Sequence, residues 1–260
     1  MDLPKVSVLT DEDIALVCCA LKHTFKVGGN IFTVEEACKI SNEGGLLKES
    51  ECGCPLHLKL SENCSDLFSV FLCSLMVFLV ENEGEMYSGN VSNIAVEICQ
   101  FLLTRAGYHY VRVAIPGAAP VAKDSAHVRY RIGAGLDSVV VDGTPDFWGR
   151  SFTSRGVTVY IFVGETQSQQ AKFPIVQLAM NTLGLALKQE STRMGAVYFT
   201  KEPLRGSVFL GELQETPTPS RKNVSFKRVN CPTELLLTNP EEFKVFMETL
   251  VGLVNELLPL

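Results

Sequence analysis

No stretch of the 260 residues is long and apolar enough to span a bilayer. The longest apolar run, LFSVFLCSLMVFLV from Leu67 to Val80, lies between Asp66 and Glu81. It falls short of the roughly 18–20 residues a spanning helix needs. It reads as a buried helix, with an interfacial helix as the alternative, so no membrane partner is expected. The start, MDLPKVSVLTDED, is acidic and lacks a cationic segment followed by an apolar one. It does not read as a secretory signal. Positive charge is also short: 23 Lys and Arg stand against 29 Asp and Glu, for a net charge of −6. A dedicated basic surface for nucleic acid is therefore not expected. Histidine occurs four times, scattered, and no Ser/His/Asp arrangement can be built from it. The pattern Gly133-Ala134-Gly135 lacks the later glycine of a dinucleotide-binding loop.

The charge is unevenly placed. Residues 1–89 carry 6 basic and 14 acidic side chains, and residues 90–260 carry 17 and 15. The nine cysteines are an odd number in a chain too long to be a disulfide scaffold. They read as reduced thiols in an intracellular compartment, cytoplasmic or nuclear. Cys52, Cys54, His57 and Cys64 form the one metal-like cluster. Their spacing is irregular and lacks the second knuckle of a structural zinc site. Cys18, Cys19, Cys73 and Cys99 sit in apolar helical contexts and read as core thiols.

Two regions follow from composition and periodicity. Residues 1–89 read as a helical accessory region, with Thr10 and Thr33 as candidate caps. Its helices offer a surface for a homodimer or a protein partner. The polar, Gly-containing segment 81–90 marks the boundary. Residues 90–260 read as a helix over about 92–106 ended by Gly107, strands at 108–114, 127–132, 136–142 and 157–163, and a helix from Pro174 to about Gln189. Strands at 196–200, 207–213 and 224–229 and a final helix over about 240–258 complete it. That order predicts an α/β (α+β) fold, a central mixed sheet flanked by helices.

The informative stretch is GTPDFWGRSFTSRGVTVYIFVGETQS, 143 to 168. The run at 157–163 is apolar on both faces, as a central strand is. Taken as one regular strand, its odd positions put Glu165 and Gln167 on a face that has just been core. An unpaired buried carboxylate is costly and needs a cation, a hydrogen-bond network or solvent. Asp146 can meet Glu165 at one sheet edge if the flanking strands pair antiparallel. Glu97 falls inside the apolar stripe Ile94, Ile98, Phe101, Leu102, a local inconsistency of the kind functional sites carry. Three carboxylates without a neighbouring lysine or histidine suit Mg²⁺.

Each residue also has a plainer reading. Asp146 in TPDFWG fits a turn. Glu165 and Gln167 fit a solvent-facing strand end, and Glu97 fits an ion pair with an arginine. Gln177 fits a helix surface, and Arg150 and Arg155 fit solvated loop charges.

The pattern resembles the PD-(D/E)XK nuclease-like superfamily, whose restriction-endonuclease-like core runs helix, three-strand meander, helix, strand. Pro145-Asp146 matches the PD element, and Glu165-Thr166-Gln167 matches the second element with Gln in place of the usual Lys. The helix beginning near Pro174, carrying Gln177, is similar to the helix that follows the motif. The resemblance spans about residues 90–215. It implies that Asp146, Glu165 and the Thr166 carbonyl hold Mg²⁺ or Mn²⁺. It implies that Glu97 holds a second metal or a metal-bound water, and that Gln167 orients the attacking water. Gln177, Arg150 and Arg155 would contact substrate. The expected activity is hydrolysis of phosphodiester bonds, DNA before RNA. The alternative is a catalytically inactive nuclease fold serving as a protein-interaction or scaffold module.

Overall fold

The computed structural model describes residues 8–24, 88–116, 126–132, 139–153, 156–167, 174–201, 203–215 and 222–258. The expected helices near 34–41 and 67–80, the Cys52, Cys54, His57 and Cys64 cluster, Gly133-Ala134-Gly135 and Arg155 lie outside these residues.

Helix α1 spans Asp11–Thr24. Thr10 caps it: its Oγ1 accepts the Asp13 N–H at 3.1 Å. Helix α2 spans Ser88–Arg105. It closes with Gly107 at φ 90°, where the Gly107 N–H reaches the Thr104 carbonyl and the Tyr108 N–H the Leu103 carbonyl. This paired closure requires the left-handed conformation that glycine adopts without strain. Strands β1 (Arg112–Ala114), β2 (Val128–Ile132), β3 (Val139–Gly143), β4 (Phe147–Phe152) and β5 (Thr158–Thr166) follow. Then come α3 (Pro174–Lys188), β6 (Arg193–Lys201), β7 (Leu204–Glu215), β8 (Lys222–Arg228), β9 (Leu235–Leu236) and α4 (Pro240–Leu257). Asn239 caps α4 by accepting from the Glu241 and Glu242 N–H groups.

The main sheet has the order β1-β4-β5-β6-β7-β8, with β9 paired to β7. Only β5 and β6 are parallel, and α3 makes the crossover between them. Strands β2 and β3 form a separate hairpin. The fold is thus mixed α/β, with a central mixed sheet flanked by helices. One face of the sheet packs on α1, α2 and α4 through Ile14, Leu21, Ile98, Leu102, Phe147, Phe199, Phe246 and Leu250. The other packs on α3 and the hairpin through Val128, Trp148, Val163, Leu178, Leu185 and Tyr198. Among the described residues no helix is long and apolar enough to cross a membrane.

Three expectations need correction. Residues 147–152 are a sheet strand, so Arg150 lies in β4 and not in a loop. Sequence reading missed β4 because its glycine and flanking proline look like turn residues, whereas Gly149 is there for space: a Cβ on it would lie 2.1 Å from the Phe162 ring. The regular alternation assumed for 157–167 also fails. Pairing passes from Gly149↔Phe162 to Arg150↔Tyr160, leaving Ile161 as an extra residue, a β-bulge. Ile161 and Phe162 therefore both pack on the helix-rich side, while Tyr160 and Val163 pack towards α3. The strand expected over 108–114 is reduced to Arg112–Ala114.

Residues 1–89 read as an accessory helical region, and of these the structure describes 8–24 and 88–89. Helix α1 lies in the same core as α2 and α4. Cys18 Sγ donates to the Leu237 carbonyl at 3.4 Å, and Lys244 Nζ pairs with Asp11 at 2.7 Å.

Gly164 is the tightest packing point near the sheet rim. A Cβ there would lie 2.0 Å from Phe147 Cζ. Gly164→Ala is expected to destabilise the fold by about 1–3 kcal/mol, the usual cost of overpacking, read by urea titration. Phe147→Leu in the same chain should recover part of that loss. A double variant no more stable than the sum of the singles would show that Phe147 is not what fills the space.

Candidate functional site

The site grows out of strand pairing. The β4–β5 register runs Trp148↔Val163 and Phe147↔Gly164. Asp146 and Glu165 are the next residues beyond that last pair. The carboxylate of Asp146 takes over where the ladder ends. Its Oδ2 accepts the Thr166 backbone N–H at 2.8 Å and the Thr166 hydroxyl at 2.7 Å. Thr166 Oγ1 also lies 3.1 Å from Ser92 Oγ. A hydroxyl has one proton to donate, and Thr166 spends it on Asp146, so Ser92 is the donor in that second bond. A chain of donors thus runs from α2 to Asp146.

Glu165 faces α3. Its Oε2 accepts from Gln177 Nε2 at 3.2 Å and its Oε1 from Asn181 Nδ2. Residues four apart lie on one face of a helix, so Gln177 and Asn181 present their amides together. Asn181 is itself buried, and its Oδ1 would lie 3.0 Å from a Cβ placed on Gly143 of β3. Glu165 is 3% exposed. Burial, then the nearby Asp146 charge, push its carboxyl up to about 8, and the Asn181 amide opposes them. The Asp146 charge thus acts on Glu165, and both carboxylates belong to one rim.

The neighbouring strand adds a phenol. Tyr198 is the β6 partner of Glu165. Burial, then the charges of Glu234 and Glu165, push it up to about 12, so it keeps its proton across the physiological range.

The structure brings Asp146, Glu165, Thr166 and Gln177 together through these bonds. Gln167 lies one residue past β5, exposed, with its N–H on the Phe199 carbonyl. Arg150 lies four residues along β4 from Asp146, its guanidinium 5.6 Å from the Phe152 ring centre. Glu97 stands apart from the pair. It is half-buried on α2, and burial alone raises its carboxyl, with no contribution from Asp146 or Glu165. The α2 residue that reaches the rim is Ser92, five positions earlier and about 140° round the helix at 100° per residue. Among the described residues, no three acidic, histidine or cysteine side chains gather into a group that could hold a metal ion.

Sequence reasoning missed Asn181, Ser92 and Tyr198. Asn181 had a signal: a polar residue four positions after Gln177 inside the apolar run FPIVQLAMNTLGLAL. Ser92 and Tyr198 had none, since a serine in a first helical turn and a tyrosine in a strand are ordinary. In comparisons with known proteins, no family model, no curated protein and no solved structure matches this chain.

Proposed function

We propose that this chain is a metal-dependent nuclease that hydrolyses phosphodiester bonds, DNA before RNA, with a restriction-endonuclease-like core. The observation that carries the reading is the rim itself: Asp146 just before β4, held by the N–H and hydroxyl of Thr166 of β5 with Ser92 of α2 behind them, and Glu165 near the end of β5, held by two amides of α3. The element order supports it. Helix α2, the antiparallel run β1-β4-β5, helix α3 and the parallel strand β6 follow the order the sequence resemblance implies.

The residues fit a hard divalent cation. Two carboxylates share one rim, neither forms an ion pair among the described residues, and burial beside Asp146 holds Glu165 towards its neutral form. Mg²⁺ needs no more than one or two carboxylates when waters and substrate phosphates complete its shell. Asp146, Glu165 and the Thr166 carbonyl would hold Mg²⁺ or Mn²⁺. When bound, such an ion supplies a coordinated water of lowered pKa and neutralises charge on phosphate oxygens. The chain's own residues do the rest. Thr166 and Ser92 fix the Asp146 carboxylate, and Gln177 and Asn181 fix Glu165. Gln167, in the lysine's place, holds the attacking water by hydrogen bonding without an ammonium's charge.

A second reading, a nuclease fold retained as a protein-interaction module, has its own observation. Both Glu165 oxygens already accept amide N–H bonds, and Asp146 Oδ2 already accepts two bonds. An assay of single- and double-stranded DNA and RNA with Mg²⁺ or Mn²⁺, against EDTA, separates the two. Metal-dependent cleavage supports the nuclease, and its absence on all four substrates supports the interaction module.

A further inference from the structure

Tyr198 sits next to Glu165 across the parallel β5–β6 ladder, one strand spacing of about 4.8 Å away. Both side chains lie on the α3 side. Glu165 accepts from the α3 amides, and Tyr198 belongs to the core cluster with Val163, Leu178 and Ala196. On its other flank, Ser207 is the β7 partner of Tyr198. Strand β7 meets β9 at Gly206↔Leu235, and Ser207 and Glu234 are the next residues beyond that pair. The charges of Glu234 and Glu165 both reach the phenol, which therefore lies between two carboxylates. The residue is 3% exposed, but its hydroxyl is not sealed from solvent as the unpartnered Trp148 Nε1 and Ser207 Oγ are. It also forms no hydrogen bond among the described residues. The rim beside it is approachable, with Gln167 exposed and Asp146 half-buried.

A phenol that keeps its proton offers one O–H donor. Here neither neighbouring carboxylate takes it, so the donor is free for a ligand that brings its own acceptor oxygens. We propose that the Tyr198 hydroxyl donates a hydrogen bond to a phosphate oxygen of the substrate seated at Asp146 and Glu165. The phosphate as ligand rests on the nuclease reading. Tyrosine is among the side chains that fix phosphates in register without reading sequence. With a cation's charge offsetting the two acids, Tyr198 orients the phosphate from the β6 side. It does so without adding positive charge, in keeping with a chain of net charge −6.

The test compares the full wild-type chain with Tyr198→Phe, which removes the hydroxyl alone. Binding of a fluorescein-labelled single-stranded DNA oligonucleotide, checked for integrity, is followed by anisotropy at several KCl concentrations, with Ca²⁺ as the hard cation. Cleavage is measured in Mg²⁺, and stability by urea titration. Tyr198→Phe should weaken Kd and lower kcat/KM, each by about 10- to 100-fold, the worth of one hydrogen bond to a charged group. The salt slope should stay that of the wild type, because a neutral donor neutralises no phosphate. The urea midpoint should stay too, because the hydroxyl has no partner among the described residues. Wild-type Kd and kcat/KM in the variant overturn the contact and leave the nuclease standing. A loss that comes with a lower urea midpoint also overturns it, since the hydroxyl then serves the fold. Weaker binding by the variant, with cleavage by neither chain, keeps the contact and removes the hydrolase. A wild-type chain that neither binds nor cuts overturns both.

Discussion

Asp146→Asn is expected to abolish metal-dependent cleavage, by at least about 10³-fold, while leaving the chain folded. The magnitude follows from the several kcal/mol a metal supplies, at 1.36 kcal/mol per decade of rate. The choice of asparagine is the point of the experiment. Asp146 Oδ2 has a structural task, accepting the Thr166 N–H and hydroxyl. An amide oxygen in the same place can still accept both. What the amide removes is the negative charge a hard cation requires. Asp146→Ala removes charge and acceptor together. It strands the N–H and hydroxyl of Thr166, which is 4% exposed, at a cost of about 2–4 kcal/mol. The two variants therefore separate rate from stability. Cleavage in Asp146→Asn at more than a tenth of the wild-type rate would place the chemistry elsewhere. Equal stability of the alanine and asparagine chains in urea would show that the Thr166 bonds contribute nothing.

The legibility of this site in the sequence had clear physical limits. Glu165 could be found because a carboxylate at a core position is conspicuous, and Asp146 through its place beside Pro145, where an antiparallel pairing could bring it to Glu165. Gln177 could be found only through the resemblance, since an exposed glutamine on a helix is commonplace. Its partner Asn181 was readable from the four-residue spacing, once a helix face is asked to present two amides and not one. Glu97 shows the opposite failure. Its place in the apolar stripe of α2 is real in the periodicity, and the helix does reach the rim, but through Ser92. Periodicity gives the buried face of a helix, not the point along it that meets a strand end.

The bulge at Ile161 marks the other limit. Alternation along a strand is legible only while pairing stays regular, and one extra residue reverses the faces on one side of it. Glu165 keeps its assigned neighbours because it lies on the rim side of the bulge, together with Val163. The strand β4 was invisible for a related reason. Its glycine and the flanking Pro145 carry turn statistics, and only the facing Phe162 ring explains why a small residue is needed at Gly149.

Glu165 makes the stability of the chain depend on pH in a direction opposite to that of a salt-bridged acid. Its carboxyl is raised from 4.5 to about 8, by burial first and the Asp146 charge second. Between those values the folded chain holds a proton that the unfolded chain has lost, so unfolding releases it. Stability is then greatest below about pH 4.5 as far as this group is concerned. It falls as pH rises through the window and levels off above about 8. The loss is on the order of 5 kcal/mol. Glu165→Gln carries no charge to bury and should not follow. The two chains should match near pH 5, and the glutamine chain should be the more stable by about that amount at pH 9, in urea titrations at each pH. Removing the Asn181 amide, which favours the charged form, should steepen the wild-type fall, and Asn181→Ala tests that. Millimolar Mg²⁺ should flatten the fall in the wild type, because a cation held by Asp146 and the ionised Glu165 stabilises the charged form, and should leave Glu165→Gln unmoved. Parallel pH profiles for wild type and Glu165→Gln would mean that Glu165 is ionised throughout the range, and the pressure towards a cation at this rim would be gone.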